Sequence, residues 1–267
     1  MGYHTQFEES GPPSMYHTTG FSKDEIVELC ARVNDLSSDG ESVSWPPILG
    51  LFKSLVVTLA YLRRNRVQAE IGEAYGVSQP TVSRAISALT PVLGQLLVDY
   101  VPVAEDLDPR TGYIVDGTLL PCWSWHGQRQ LYSGKHKTTG MNVQVACDLN
   151  GRLAWISDAV DGCRHDTAAL RMSGVLDTLA AGHWMGDKGY IGNSMITPIR
   201  KPVYRDLLDW EKEFNTGVNK IRYLIERTIA NLKTWRILHT DYRRPLATFN
   251  TTIATVIALH FYAISCE

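Results

Sequence analysis

Along the first hundred positions hydrophobic residues recur at intervals of three and four, the period of helices, whereas beyond residue 110 they alternate or run together as strands do. Ser22 and Glu25 have capping-box spacing ahead of Ile26, Leu29, Val33 and Leu36, so a first helix begins at Ser22. Asp35 to Ser44 reads as a polar loop. Pro46 and Pro47 open a second helix through Leu51, Phe52, Leu55, Val56, Leu59 and Leu62, ending in Arg63, Arg64 and Arg66. Shorter helices are predicted over about Val67 to Tyr75, Gln79 to Leu89 and Val92 to Val98.

After Asp108-Pro109 the pattern changes. Tyr113 to Thr118 is β-branched and apolar, and Met141, Val143, Val145 and Cys147 alternate with Asn142, Gln144 and Ala146. Asn150-Gly151 suits a hairpin turn before Leu153, Trp155 and Ser157. Asp166 is placed to cap a helix holding Leu170 and Met172, and a short strand follows over His183 to Gly186. Two helices end the chain, about Lys220 to Leu238 and Leu246 to Ile264. The expected organisation is a flexible N-terminus over 1–20, an all-α domain over 21–105 and an α/β domain over 106–267.

Composition narrows the class without naming a function. With 44% hydrophobic and 20% charged residues, including 7 Trp, 12 Tyr and 6 Phe, the chain is globular and can bury a sizeable core. Five cysteines, at 30, 122, 147, 163 and 266, form no CxxC pair, which signals neither a disulfide framework nor a structural zinc site. The first 20 residues lack the apolar stretch of a signal peptide. Ile253 to Ile264 is the longest apolar run; Thr255 and His260 interrupt it and it is shorter than the roughly 20 residues a bilayer requires. No HxxxH pair, Gly-rich phosphate loop or G-x-S-x-G elbow is present, which argues against zinc hydrolysis, nucleotide hydrolysis and serine acyl transfer.

The formal net charge of −2 speaks against indiscriminate coating of nucleic acid, but basic residues cluster. Ser124 to Gly140 carries Arg129, Lys135 and Lys137 and no acid, and Arg200 to Arg244 carries eleven Lys/Arg against six Asp/Glu. The stretch from Gln68 to Ile86 has the grammar of a helix-turn-helix: Gly76 ends one helix, Val77 anchors the turn, and Ser78 caps the next helix with Pro80 in its first turn. Ile71, Val77, Val82 and Ile86 then point inward. Gln79, Thr81, Ser83 and Arg84 are left toward solvent, with side chains that can bond base edges and phosphates from the major groove. An ordinary helical hairpin uses the same Gly and cap.

Three carboxylates stand out. Asp116 is expected at the end of the strand Tyr113 to Thr118, Asp187 ends the strand His183 to Gly186, and Glu226 lies inside a helix. Taken alone, the first two suit strand-end turns and the third a solvated helix face. On that helix, however, Arg222, Glu226 and Lys233 fall within about 40° of one another and border the apolar stripe of Ile221, Ile225, Ile229 and Leu232. Two acids on neighbouring strands and one on an adjacent helix suit hard cations such as Mg²⁺, two of which can drive phosphodiester displacement. Arg222 and Lys233 would hold phosphates.

The segments Val115-Asp116-Gly117-Thr118, Tyr132-Ser133-Gly134-Lys135-His136-Lys137, Gly162-Cys163-Arg164-His165-Asp166, Gly186-Asp187-Lys188-Gly189-Tyr190 and Ile225 to Lys233 occur in an order that resembles DDE transposases of the insertion-sequence-five type. The resemblance implies an RNase H-like catalytic domain after a helix-turn-helix, with Asp116, Asp187 and Glu226 as catalytic metal ligands for two Mg²⁺ that Mn²⁺ can replace. It implies double-stranded DNA partners, namely terminal inverted repeats and target DNA, a homodimer or higher assembly on DNA, and a place in the cytoplasm at the bacterial nucleoid. The related signature Tyr-x2-Arg-x3-Glu-x6-Lys is met at Arg222, Glu226 and Lys233, but Asn219 stands at the tyrosine position. The 38 residues between Asp187 and Glu226 leave no room for a large inserted domain. Asp166 reads either as a fourth carboxylate near the metals or as a helix cap, and Trp123 and Trp125 either as base-stacking or as packing residues. The alternatives are a repressor-like DNA-binding protein on a transposase scaffold and a nuclease of repair or defence.

Overall fold

The computed structural model describes residues 15–38, 43–124, 126–177 and 183–266. Trp125, most of the expected flexible N-terminus and part of the polar loop after residue 38 lie outside the described residues. The chain divides into two compact units, Met1–Leu89 and Thr90–Glu267.

The first unit is helical. After a single turn, α1 (Tyr16–Thr19), Gly20 at φ 85° redirects the chain into α2 (Lys23–Ser38). Here the expected capping box forms: Ser22 N–H donates to Glu25 Oε2 at 2.5 Å, and Glu25 N–H to Ser22 Oγ at 3.3 Å. Ile26, Leu29 and Val33 are fully buried. Helix α3 (Gly50–Arg64) begins later than Pro46-Pro47 suggests, because those prolines form a turn in which Leu49 N–H donates to Pro46 O and Gly50 takes φ 66°. Helices α4 (Gln68–Tyr75) and α5 (Gln79–Leu96) flank Gly76, whose φ of 65° lets the chain reverse.

Helix α5 corrects the two shorter helices expected over 79–98. Pro91 removes one intrahelical hydrogen bond, but Leu89, Leu93 and Leu97 lie on one fully buried stripe that carries the helix through. The division between units falls within α5, at Leu89, rather than at residue 105. Its last turns pack inside the second unit, where the Thr255 hydroxyl donates to Thr90 O at 2.9 Å.

The second unit is built on a six-stranded sheet. Its spine has the order β2 (Tyr132–Ser133), β3 (Thr138–Asp148), β1 (Tyr113–Pro121) and β6 (Trp184–Met185), with β4 (Leu153–Ile156) and β5 (Val160–Asp161) also paired to β3. β1 runs antiparallel to β3 and parallel to β6. The Asn150-Gly151 turn forms as expected, with Gly151 at φ 79° and Asp148 N–H donating to Arg152 O at 3.0 Å. On one face Val115 and Ala146 meet Trp155, Leu170, Trp184 and Tyr190 in the core beneath α6 (Asp166–Met172). On the other, α7 (Asp209–Leu232) covers β1 and β3. This helix starts eleven residues before Lys220 and stops at Leu232, and Arg236–Leu238 is a separate 3-10 turn. Of its expected apolar stripe, Ile225 and Leu232 are buried but Ile221 is 40% exposed. The last helix, α8 (Phe249–Cys266), lies within the one stretch among the described residues long and apolar enough to cross a membrane, and 61% of that stretch's most apolar window is buried in the protein.

Gly72 is a constraint the sequence pattern does not announce. A Cβ there would stand 2.6 Å from the Val77 carbonyl oxygen, so the turn between α4 and α5 closes directly on the glycine. Alanine in a helix is ordinarily worth roughly 1 kcal/mol over glycine. We expect Gly72→Ala instead to destabilise the first unit by about 1–3 kcal/mol, because the clash is with backbone. Denaturant unfolding of the variant checks the sign, and a gain in stability would contradict the close approach.

Candidate active site

Asp116 is not at a strand end. β1 continues five residues past it to Pro121, because Leu119 and Leu120 are buried and pair with Asn142 and Met141 of β3. The acid thus stands in mid-strand opposite Val145, on the face covered by α7. Register places its partner. In the parallel ladder Ile114 pairs with Met185, so Asp116 and Asp187 each lie two residues beyond the same rung. The Asp187 carboxylate accepts the Gly189 N–H at 2.7 Å and so caps the 3-10 turn Lys188–Tyr190. The turn expected of that acid and its position beside Asp116 coexist.

Burial pushes the Asp116 carboxyl up to about 6, against the Arg222 guanidinium, with Asp187 adding to the rise and the Gly117 N–H and Lys135 opposing it. Arg222 comes from α7, its Nη2 lying 3.5 Å from Asp116 Oδ2. Its Nε is buried without a hydrogen-bond partner among the described residues.

Asp166 does not cap α6. His165 holds the N-cap position, and the Asp166 side chain turns instead to Lys135, whose Nζ lies 2.7 Å from Oδ2, and to Asn142, whose Nδ2 donates to Oδ1 at 2.9 Å. Gly117 makes this placement possible: a Cβ there would lie 2.3 Å from Asp166 Oδ1. From Asn142 the hydrogen bonds continue inward. Gln144 Nε2 donates to Asn142 Oδ1 at 3.1 Å, and the buried Tyr190 hydroxyl donates to Gln144 Oε1 at 2.7 Å. Burial, then Asp166, Asp116 and Asp187, raise the Tyr190 hydroxyl far above its usual range, so it stays a donor. Nothing in the residue pattern flags Asn142, Gln144 and Tyr190 as partners, because two are spaced as strand residues and the third arrives from a distant turn.

The remaining expected site residues divide. Glu226 is exposed, one turn along α7 from Arg222, and is not among the groups that shift the Asp116 carboxyl. Among the described residues no three His, Cys, Asp or Glu side chains converge as a ready ligand set. Lys233, expected to hold phosphate, donates instead to the Leu119 carbonyl of β1 at 3.2 Å, and burial lowers its pKa. Lys135 and Lys137 lie on the exposed turn between β2 and β3, with Lys137 at φ 53°. In the first unit, Gln79 and Arg84 are exposed and Ser83 is half-buried, but Thr81 is buried, its hydroxyl 3.0 Å from that of Ser78 and 3.3 Å from Arg84 Nη2. Thr81 therefore braces the helix start instead of facing solvent. Trp123 is 56% exposed.

A helix-turn-helix ahead of an α/β unit that sets two aspartates near one another is an arrangement suited to phosphodiester chemistry on DNA. Comparison with known proteins places it further: residues 115–260 match the DDE superfamily endonuclease family and residues 48–99 the helix-turn-helix of DDE superfamily endonuclease. The chain belongs to the DDE superfamily endonucleases and is a DDE transposase with an N-terminal helix-turn-helix, a metal-dependent class of enzyme. It is 28% identical over 222 residues to a protein of Streptomyces albus G named as a candidate transposase for insertion sequence element IS112, covering 82% of this chain and 83% of that one. To the corresponding IS702 protein of Microchaete diplosiphon it is 24% identical over 236 residues, 83% of each chain. The candidate nuclease HARBI1 of Rattus norvegicus is 21% identical over 199 residues, 67% of this chain and 56% of that protein. No solved structure matches the chain.

The buried Asp116 generates a prediction. Its pKa is raised in the fold from 3.8 to about 6, so ionisation opposes folding: the cost is absent below the unfolded value, grows between the two and is full above the folded one. Without divalent metal, Asp116→Asn is expected to stabilise the protein near neutral pH by on the order of 1–3 kcal/mol. The gain should vanish as the pH falls below about 4. Urea unfolding in a chelator across this range checks it, and a variant less stable than wild type at neutral pH would contradict the burial argument.

Proposed function

We propose that this chain binds the terminal inverted repeats of an insertion sequence, nicks the element's ends and joins the exposed 3′ ends to target DNA. The observation that carries the reading is the pair Asp116 and Asp187, each two residues beyond the same rung of the β1–β6 parallel ladder, within the region that matches the endonuclease family. An RNase H-like core is the fold we assign, supported by a β1 that is antiparallel to β3, parallel to β6 and covered by α7.

The donor set fits a hard divalent cation. The Asp187 carboxylate lies close enough to raise that of Asp116, and Asp116 is desolvated beyond what Arg222 offsets. Asp116 and Asp187 would hold the metal, with Glu226 joining them from the exposed side of α7. Two Mg²⁺ ions, or Mn²⁺, would activate the attacking oxygen and stabilise the leaving one. Arg222 keeps a guanidinium beside Asp116, where it offsets part of the carboxylate's charge. Lys135 and Lys137 receive the strand's phosphates at the turn beside the site, while Gln79, Ser83 and Arg84 contact the element's end. Two ends joined to two target strands call for at least a homodimer on DNA, working at the bacterial nucleoid in the cytoplasm.

The test is incubation with labelled DNA from the sequence flanking the gene, in Mg²⁺ or Mn²⁺. Wild type should cut at defined ends and join the product to a second DNA. Asp116→Asn and Asp187→Asn should each lower cutting roughly 10²–10³-fold while leaving DNA binding intact. Specific binding without any cut in either metal would leave a DNA-binding protein on a transposase scaffold, and cutting without preference for ends or joining would leave a nuclease.

A further inference from the structure

Lys135 and Asp166 form an ion pair of unequal partners. The lysine side chain is 57% exposed at the tip of a turn, whereas the aspartate side chain is 14% exposed. The carboxylate is also anchored from behind. Tyr190 donates to Gln144, Gln144 to Asn142, and Asn142 to Asp166, so every donor in the row points toward the one group that only accepts. The carboxylate is seated in the space that Gly117 leaves open, since a Cβ there would stand 2.3 Å from Asp166 Oδ1. The ammonium can therefore leave the pair and the carboxylate cannot. Beside them lies a cleft of about 140 Å³ lined by Ser133, Gly134, Lys135, His136, Arg164 and Asp166, large enough for a phosphate group.

We propose that Asp166 occupies, in the DNA-free protein, the place at Lys135 that a DNA phosphate takes in the complex, and so acts as a specificity-determining residue. This rests on the reading that the face carrying Lys135 binds DNA. A phosphate binds Lys135 only by drawing the ammonium out of a charge-assisted bond of 2.7 Å, and the carboxylate left behind repels the strand. DNA held in register by the helix-turn-helix supplies its phosphate at that point and completes the exchange; DNA arriving at random gains less from it. Asp166 thereby lowers affinity for the wrong DNA more than for the right one, which is how specificity is gained through a repulsive element.

The test uses Asp166→Asn, which keeps an oxygen to accept from Asn142 and removes the anion facing Lys135. Binding of a fluorescent duplex of arbitrary sequence is measured across salt concentrations for wild type, Asp166→Asn, Lys135→Gln and the double variant. Asp166→Asn should bind about 3–10-fold more tightly, and its log K should fall more steeply with log salt by about 1, as for one additional lysine–phosphate contact. The gain should disappear in the double variant, since it acts through Lys135. A gain that persists without Lys135 would be a general charge effect and would overturn the proposal, as would unchanged or weaker binding by Asp166→Asn. Should Asp166→Asn not fold, Lys135→Gln decides: affinity and salt slope equal to wild type would overturn it, and a shallower slope supports it. Wild type that binds no DNA would remove the underlying reading as well, whereas binding indifferent to Asp166 removes this proposal alone.

Discussion

A carboxylate in the middle of a covered strand is the constraint around which the second unit is organised. Asp116 directly follows buried Ile114 and Val115, and the cost of desolvating its charge is only partly offset by Arg222. A structure selected for stability alone would place an apolar residue there. Retaining the acid makes sense if a stronger cation completes the site, which is the chemistry expected of a metal-dependent endonuclease family. The neighbours follow from that position. β6 must run parallel to β1 for Asp187 to lie alongside, α7 must cross the Asp116 face to deliver Arg222, and residue 117 must be glycine for Asp166 to reach the sheet.

Much of this was legible in the chain. The capping box at Ser22, the reversal at Gly76, the hairpin at Asn150-Gly151 and the turn at Asp187 depend on local geometry, and local geometry is what residue patterns encode. The corrections have different causes. Burial of Leu89, Leu93 and Leu97 carries α5 through Pro91. Thr81 turns back to Ser78 and Arg84 within its own helix start. Lys233 is held by a backbone carbonyl 114 residues away, beyond the reach of any local pattern. The row from Tyr190 through Asp166 to Lys135 depends on contacts between residues 24 to 46 apart in sequence, which no local pattern displays.

Charge distribution connects the two units' tasks. With a net charge of −2 the protein gains little from general attraction to DNA. In the proposed function, recognition falls to the exposed residues at the start of α5, and retention of the strand falls to individual cations: Arg222 beside Asp116 and Lys135 beside Asp166. Each of these cations already has an acidic partner within the protein, so the site is balanced before DNA arrives.

The central claim is that Asp116 and Asp187 share one divalent metal position. Anomalous diffraction from crystals of the protein grown with Mn²⁺ tests it most directly. A peak within roughly 2.0–2.2 Å of a carboxylate oxygen of each aspartate is the predicted result. Ordered carboxylates with no peak between them, or manganese bound only elsewhere on the chain, would contradict the account.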